Sequence, residues 1–202
     1  MTGHLKRNMP RGQNKGKLLE AGLNLLYSQG FSASGVQEIA DASGVPKGSF
    51  YNYFKNKEDF GLQVLDYYTE NLSGYLEQNL LKAEGSPLSR LQRMFDNWIH
   101  KLENRCLGCL AGNLSQELAN QNPVFQKALE KSFNKLQSYY SACLEEAKQA
   151  GEIDKNANPE LLAAFIYNSW QGALVRAKSQ GDLEALKDFK KVIFEILLVS
   201  IK

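Results

Sequence analysis

The chain has 202 residues, 43% of them hydrophobic and 23% charged, enough for one sizeable core or two small ones. Leu, Ala, Lys and Glu outnumber Val and Ile, which favours helix over sheet; the longest apolar run, VIFEILLVSI, is broken by Glu195 and too short to span a bilayer. The net charge of +2 conceals an asymmetry, with residues 1–60 carrying +3 and the remainder −1.

Lys6, Arg7, Arg11, Lys15 and Lys17 all precede the first acid, Glu20. This arm reads either as a solvated tail or as a segment seeking a polyanion. It has no apolar stretch of the secretory kind. Three cysteines in such a chain read as reduced thiols of a cytoplasmic protein.

Helical periodicity runs almost throughout, with no convincing strand. Leu18, Leu19, Leu23, Leu25 and Leu26 mark a first helix that stops at Gly30. Ser34 and Gln37 form a capping-box pattern at the head of a short second helix, whose buried face is Val36, Ile39 and Ala40. Ser43-Gly44 ends it, and Pro46 stands where a first-turn proline opens a third. Asn56 suits the cap of a long fourth helix reaching about Leu81, with Glu58 and Asp59 in its first turn. Ser86-Pro87 starts a fifth, a less regular sixth runs from Cys106 to Ala119, and Asn122-Pro123 and Asn158-Pro159 open the seventh and eighth. Leu183 to Ile201 makes a ninth. The expected fold is all-α with about nine helices.

The second and third helices carry the functional signal. Two short helices joined by a glycine turn cross steeply, so the second projects from the surface. Val45 and Phe50 can plug the core beneath it, leaving Lys47, Gly48, Ser49, Asn52 and Tyr53 outward. A major groove about 12 Å wide admits one such helix, provided its first turn is slim. Gly48 and Ser49 supply that slimness, and Tyr51, Tyr53 and Lys57 offer donors to flanking phosphates. Phe50, Phe54 and Phe60 read as plain core.

The segment FSASGVQEIADASGVPKGSFYNYFKNKEDF, within a match over about residues 13–62, resembles the DNA-binding region of the TetR family of bacterial transcriptional repressors. The resemblance implies a helix-turn-helix domain over residues 1–56, followed by a helical regulatory and dimerisation domain over 57–202. It puts phosphate grips at Ser34 and Lys57, with Lys47, Gly48, Ser49, Tyr51, Asn52 and Tyr53 on the groove-facing helix; Gln37 of the second helix is a further candidate DNA-binding residue. Two departures stand out. Pro46 replaces a frequent capping serine. Tyr53 replaces a frequent histidine, making that contact insensitive to pH near neutrality.

In the remainder, the wide apolar faces of helices eight and nine are expected to pair two chains into a four-helix interface. Such a dimer reads a palindromic operator of double-stranded DNA. GCLAGNLSQELA resembles the electrophile-sensing, N-ethylmaleimide-responsive subgroup of the same family, in which the cysteine of GCL reacts. That implies a sensing role for Cys109, with Lys178 in GALVRAK as the ammonium that activates it and Cys106 as a resolving partner. Simple pocket lining stands as the alternative for Cys109, and Cys143 reads as inert core. Alternatively, a small-molecule inducer would meet a cavity lined by residues such as Trp98, Asn113, Glu117, Tyr167 and Trp170.

No metal or cofactor is expected. Cys106 and Cys109 lack a second pair, and His4 and His100 are isolated. The competing reading is a small helical thiol oxidoreductase using Cys106 and Cys109. No base or cofactor motif accompanies those thiols.

Overall fold

The computed structural model describes residues 12–103 and 107–201. The chain divides into two compact units, one of residues 1–71 with 109–133, the other of 72–108 with 134–202. Among the described residues the only regular structure is helical: α1 (Gln13–Gln29), α2 (Val36–Ser43), α3 (Lys47–Phe50), α4 (Lys57–Leu76), α5 (Pro87–Leu102), α6 (Leu110–Leu118), α7 (Pro123–Gln149), α8 (Pro159–Gln180) and α9 (Glu184–Lys191). Two π-helical stretches, Glu77–Leu81 and Val192–Leu197, and a last turn at Leu198–Ser200 carry α4 and α9 onward. The all-α expectation holds.

The first unit is built on α1, whose Leu18, Leu19, Leu23 and Leu26 are buried with Ile39 and Ala40 of α2 and Val64 and Leu65 of α4. Phe50, Phe54 and Phe60 interlock there, with ring centroids 4.9–5.1 Å apart. Gly44 closes α2 in the left-handed conformation, at φ 66°, which glycine adopts without steric cost. Asn56 caps α4 as its position suggests, its Oδ1 accepting from Asp59 N–H at 2.8 Å.

Three local expectations are corrected. Ser34 does not cap α2. Gly35 occupies that position, its N–H reaching Glu38 at 3.5 Å, while the Ser34 hydroxyl turns inward to donate to Gly30 O at 2.7 Å. Pro46 is not the first helical residue but the cap before it, with an extended ψ of 137° that leaves Val45 free to bury. The third helix is a single turn. After Phe50 the bonds tighten to i→i+3, Asn52 N–H to Ser49 O and Tyr53 N–H to Phe50 O.

A fourth correction concerns α6, which begins at Leu110 rather than Cys106. Gly108 takes a positive φ of 78° and Cys109 is extended, at φ −104° and ψ 131°, so no helix passes through them.

The second unit packs around aromatic rings. Phe95 and Trp98 of α5, Trp170 of α8 and Phe189 of α9 meet at 4.9–5.9 Å. Arg90, 6% exposed, donates to Leu81 O at 2.8 Å and pairs with Glu146, satisfying a carbonyl that the π-helical turn leaves open. Cys143 is buried, and burial pushes its thiol up to about 12. The other face of this unit stays apolar and uncovered. Leu161, Phe165, Val175, Val192, Ile196 and Val199 are 46–68% exposed along α8 and the stretch after Lys191. Beside them runs a groove of about 500 Å³ lined by Phe165, Ala173, Arg176, Phe189, Val192 and Ile193. No helix among the described residues is long and apolar enough to cross a membrane.

Candidate nucleic-acid interface

The α2–α3 unit exposes some of the residues that the sequence places outward and half-buries others. Lys47, Gly48 and Asn52 are exposed, Tyr51 is 55% exposed, and Ser49 and Tyr53 are half-buried. Directly beneath, Val45, Phe50 and Phe54 are buried, so the turn is pinned from inside and bare outside. Gln37 is exposed on α2, with its amide donating to Asp41 at 2.8 Å.

Gly48 is the informative position. It lies within α3 at an ordinary helical φ, and a Cβ built on it meets no atom within 4 Å. Nothing in the fold requires glycine there, although glycine costs about 1 kcal/mol relative to alanine in a helix. Packing within the fold therefore gives no reason for glycine at this position.

Ser34 and Lys57 are placed differently. Ser34 is fully buried, with its hydroxyl committed to Gly30, so it offers no surface donor. Lys57 heads α4, yet its ammonium donates to Ser32 O at 3.0 Å and lies 4.7 Å over the Phe31 ring. Desolvation holds its pKa below the ordinary lysine value, opposed by the charge of Glu117.

Sequence reasoning missed the role of Glu117, treating it as cavity lining. The carboxylate instead accepts from Phe31 N–H at 2.8 Å and Ser32 N–H at 2.6 Å, the turn between α1 and α2. Burial pulls its carboxyl up, but the hydroxyl and N–H of Ser32, the N–H of Phe31 and the Lys57 ammonium outweigh it and bring the pKa below the usual range. The partners lie 85 and 86 residues away in sequence, so no local pattern could reveal the bond.

Cys109 is the residue before α6, 7% exposed, with its sulfur 3.3 Å from the Tyr68 hydroxyl. Tyr27 and Tyr68 meet edge to face at 6.0 Å, and burial, then the neighbouring Cys109, raises the Tyr27 phenol. Asn113 follows on α6, half-buried. Trp98 and Trp170 stack at 5.7 Å in the second unit, and Tyr167 meets Tyr140 at 5.4 Å. Lys178 is exposed in the last turn of α8. Cys106 and the arm residues Lys6, Arg7 and Arg11 lie outside the described residues. No group of three His, Cys, Asp or Glu that could hold a metal ion occurs among the described residues.

Two family models match: bacterial regulatory proteins of the tetR family over residues 18–64, and the tetracyclin repressor-like C-terminal domain over residues 87–193. The HTH-type transcriptional repressor DhaR of Mycobacterium sp. (strain GP1) is 38% identical, over 95% of this chain and 96% of its own. The chain belongs to the TetR family. A crystal structure of a TetR regulatory protein from Rhodobacter sphaeroides superposes with a TM-score of 0.81 at 34% identity, covering 90% of this chain and 97% of its own. The reduced form of Escherichia coli NemR gives 0.82 at 27% identity, over 91% and 96%. This TetR-family member is a DNA-binding transcriptional repressor and not an enzyme, so the thiol-oxidoreductase reading of Cys106 and Cys109 falls.

The Glu117 carboxylate contributes stability above its unfolded pKa, about 4.3, and loses it as pH falls through the lower native value. Glu117→Gln is therefore expected to destabilise the protein by about 1 kcal/mol at pH 7, with the gap closing in acid. Urea unfolding across a pH series measures this, and a gap independent of pH would contradict it.

Proposed function

We propose that the protein acts in the cytoplasm as a homodimeric repressor, binding a palindromic operator through two copies of the α3 turn and released when Cys109 is modified by an electrophile or oxidant. The observation that carries the DNA-contact assignment is Gly48, an open glycine in a helical turn flanked by Lys47 and Ser49. In this reading Lys47, Gly48, Ser49 and Asn52 enter the major groove, while Gln37, Tyr51, Tyr53 and Lys57 meet the phosphates alongside. Ser34 contributes from inside by holding the Gly30 carbonyl. The DNA-reading portion ends near residue 56, inside a packing unit that extends further along α4.

A second copy of the chain is the partner for the apolar face of α8 and the C-terminal helix, where six large side chains stand in water. A dimer that reads a palindrome needs its two α3 turns about 34–36 Å apart, one turn of DNA.

Two observations support a thiol response. Cys109 lies at the start of the nine-residue α6 whose far end carries Glu117, and E. coli NemR is described in a reduced form. With a quinone, the Cys109 sulfur forms a C–S bond to the ring and the thiol proton passes to a quinone oxygen. A non-covalent inducer would instead meet the aromatic cluster of Trp98, Tyr167 and Trp170 in the second unit.

Gly48→Ala is expected to leave stability unchanged or raise it by about 0.5–1 kcal/mol, yet to weaken operator binding at least about tenfold, because the new methyl enters the groove. Thermal melting and operator titration at fixed salt measure the two effects. Unchanged operator affinity would remove Gly48 from the interface. For the sensor, a quinone is expected to release the wild-type protein from operator DNA, whereas Cys109→Ser stays bound. Cys143 should remain unmodified by mass spectrometry, since its thiol is pushed up to about 12. Equal release of the Cys109→Ser protein would exclude this cysteine as the trigger.

A further inference from the structure

An acid in the last turn of a helix opposes the macrodipole, so Glu117 near the end of α6 does not serve that helix. It also adds negative charge to the unit that approaches DNA, which on charge alone weakens binding. Its surroundings are shaped to receive it even so. Two consecutive N–H groups, of Phe31 and Ser32, converge on its two oxygens at 2.8 and 2.6 Å. Gly30 gives it room, since a Cβ there would lie 2.9 Å from Glu117 Oε2. Lys57 closes the group by donating to Ser32 O.

The turn so held leads directly into α2. It runs from Gly30 to Gly35 and is tied besides by Ser34 N–H to Phe31 O at 3.2 Å, by the Ser34 hydroxyl to Gly30 O, by the Lys57 ammonium to Ser32 O and by the Phe31 ring against Phe125 at 5.2 Å. The carboxylate takes two consecutive main-chain N–H groups of this turn, and the turn leads into α2, which carries α3.

We propose that Glu117 is a positioning residue for operator recognition: its carboxylate grips the main chain of residues 31 and 32 and so sets the pose of α2 and α3 against the DNA. This rests on the repressor reading above. It makes a prediction opposite in sign to electrostatics, because removing an acid near DNA by itself tightens binding to every sequence.

The test compares wild-type protein with Glu117→Gln and Glu117→Ala, titrating each against operator DNA and against a random duplex at the same salt. Dimer content is checked by gel filtration and folding by thermal melting. The expected result for Glu117→Ala is about a tenfold or greater loss of operator affinity, with random-duplex affinity unchanged or higher, so that specificity collapses while the dimer persists. Glu117→Gln, which keeps one acceptor oxygen but loses the charge, should lose several-fold. It carries the test should the alanine variant fail to fold. Operator and random-duplex affinities that rise together, or do not move, would overturn the assignment. A wild-type protein without preference for the operator would instead overturn the repressor reading itself, which separates the two failures.

Discussion

A single helical turn cannot hold itself together in water, and α3 is one turn long. Its shape depends on the ring of Phe50 beneath it, locked between Phe54 and Phe60 at 5.0 and 5.1 Å. These rings are fully buried or nearly so, and burying each contributes about 1.5–3 kcal/mol. Only because that inner face is firmly seated can the outer face be left without packing of its own. The arrangement separates two requirements along the six residues from Val45 to Phe50. Val45, Phe50 and their neighbours satisfy the core, while Lys47 to Ser49 are released from it.

That separation explains how much was legible in the sequence. Lys47, Gly48 and Ser49 interrupt a helical pattern with a charge and small residues, and Phe50, Phe54 and Phe60 continue it, so inside and outside could be assigned from spacing. Caps with a side-chain acceptor were legible too. Asn56, Asn122 and Asn158 each accept N–H bonds from their helices' first turns. Ser34 misled because it stands one residue before the cap, Gly35, and its hydroxyl donates back to the Gly30 carbonyl instead of accepting from the first turn of α2. The start of α6 misled because apolar spacing continues through Cys106 and Leu107, whereas Gly108 takes a positive φ that spacing does not reveal.

The Glu117 contact was out of reach for a different reason. Sequence patterns report periodicity and local hydrogen bonding, both confined to a few residues, and this bond closes a loop of more than eighty. Only the fold brings α6 beside the α1–α2 turn. The contact joins the two parts of the chain that sequence reading had kept apart, the DNA-facing helices and the cysteine-bearing segment. Within one compact unit, Cys109 thus directly precedes the short helix that carries Glu117, and Glu117 touches the turn that leads into α2.

The central claim is that the bare turn of α3 enters the major groove in two copies. Methylation interference at guanine N7, a major-groove acceptor, tests it directly on a duplex selected from random DNA by the protein. The account predicts interfering guanines in two symmetry-related clusters about 10–10.5 base pairs apart, weakened when Lys47 is replaced by alanine. Absence of N7 interference on a duplex the protein binds tightly would contradict it.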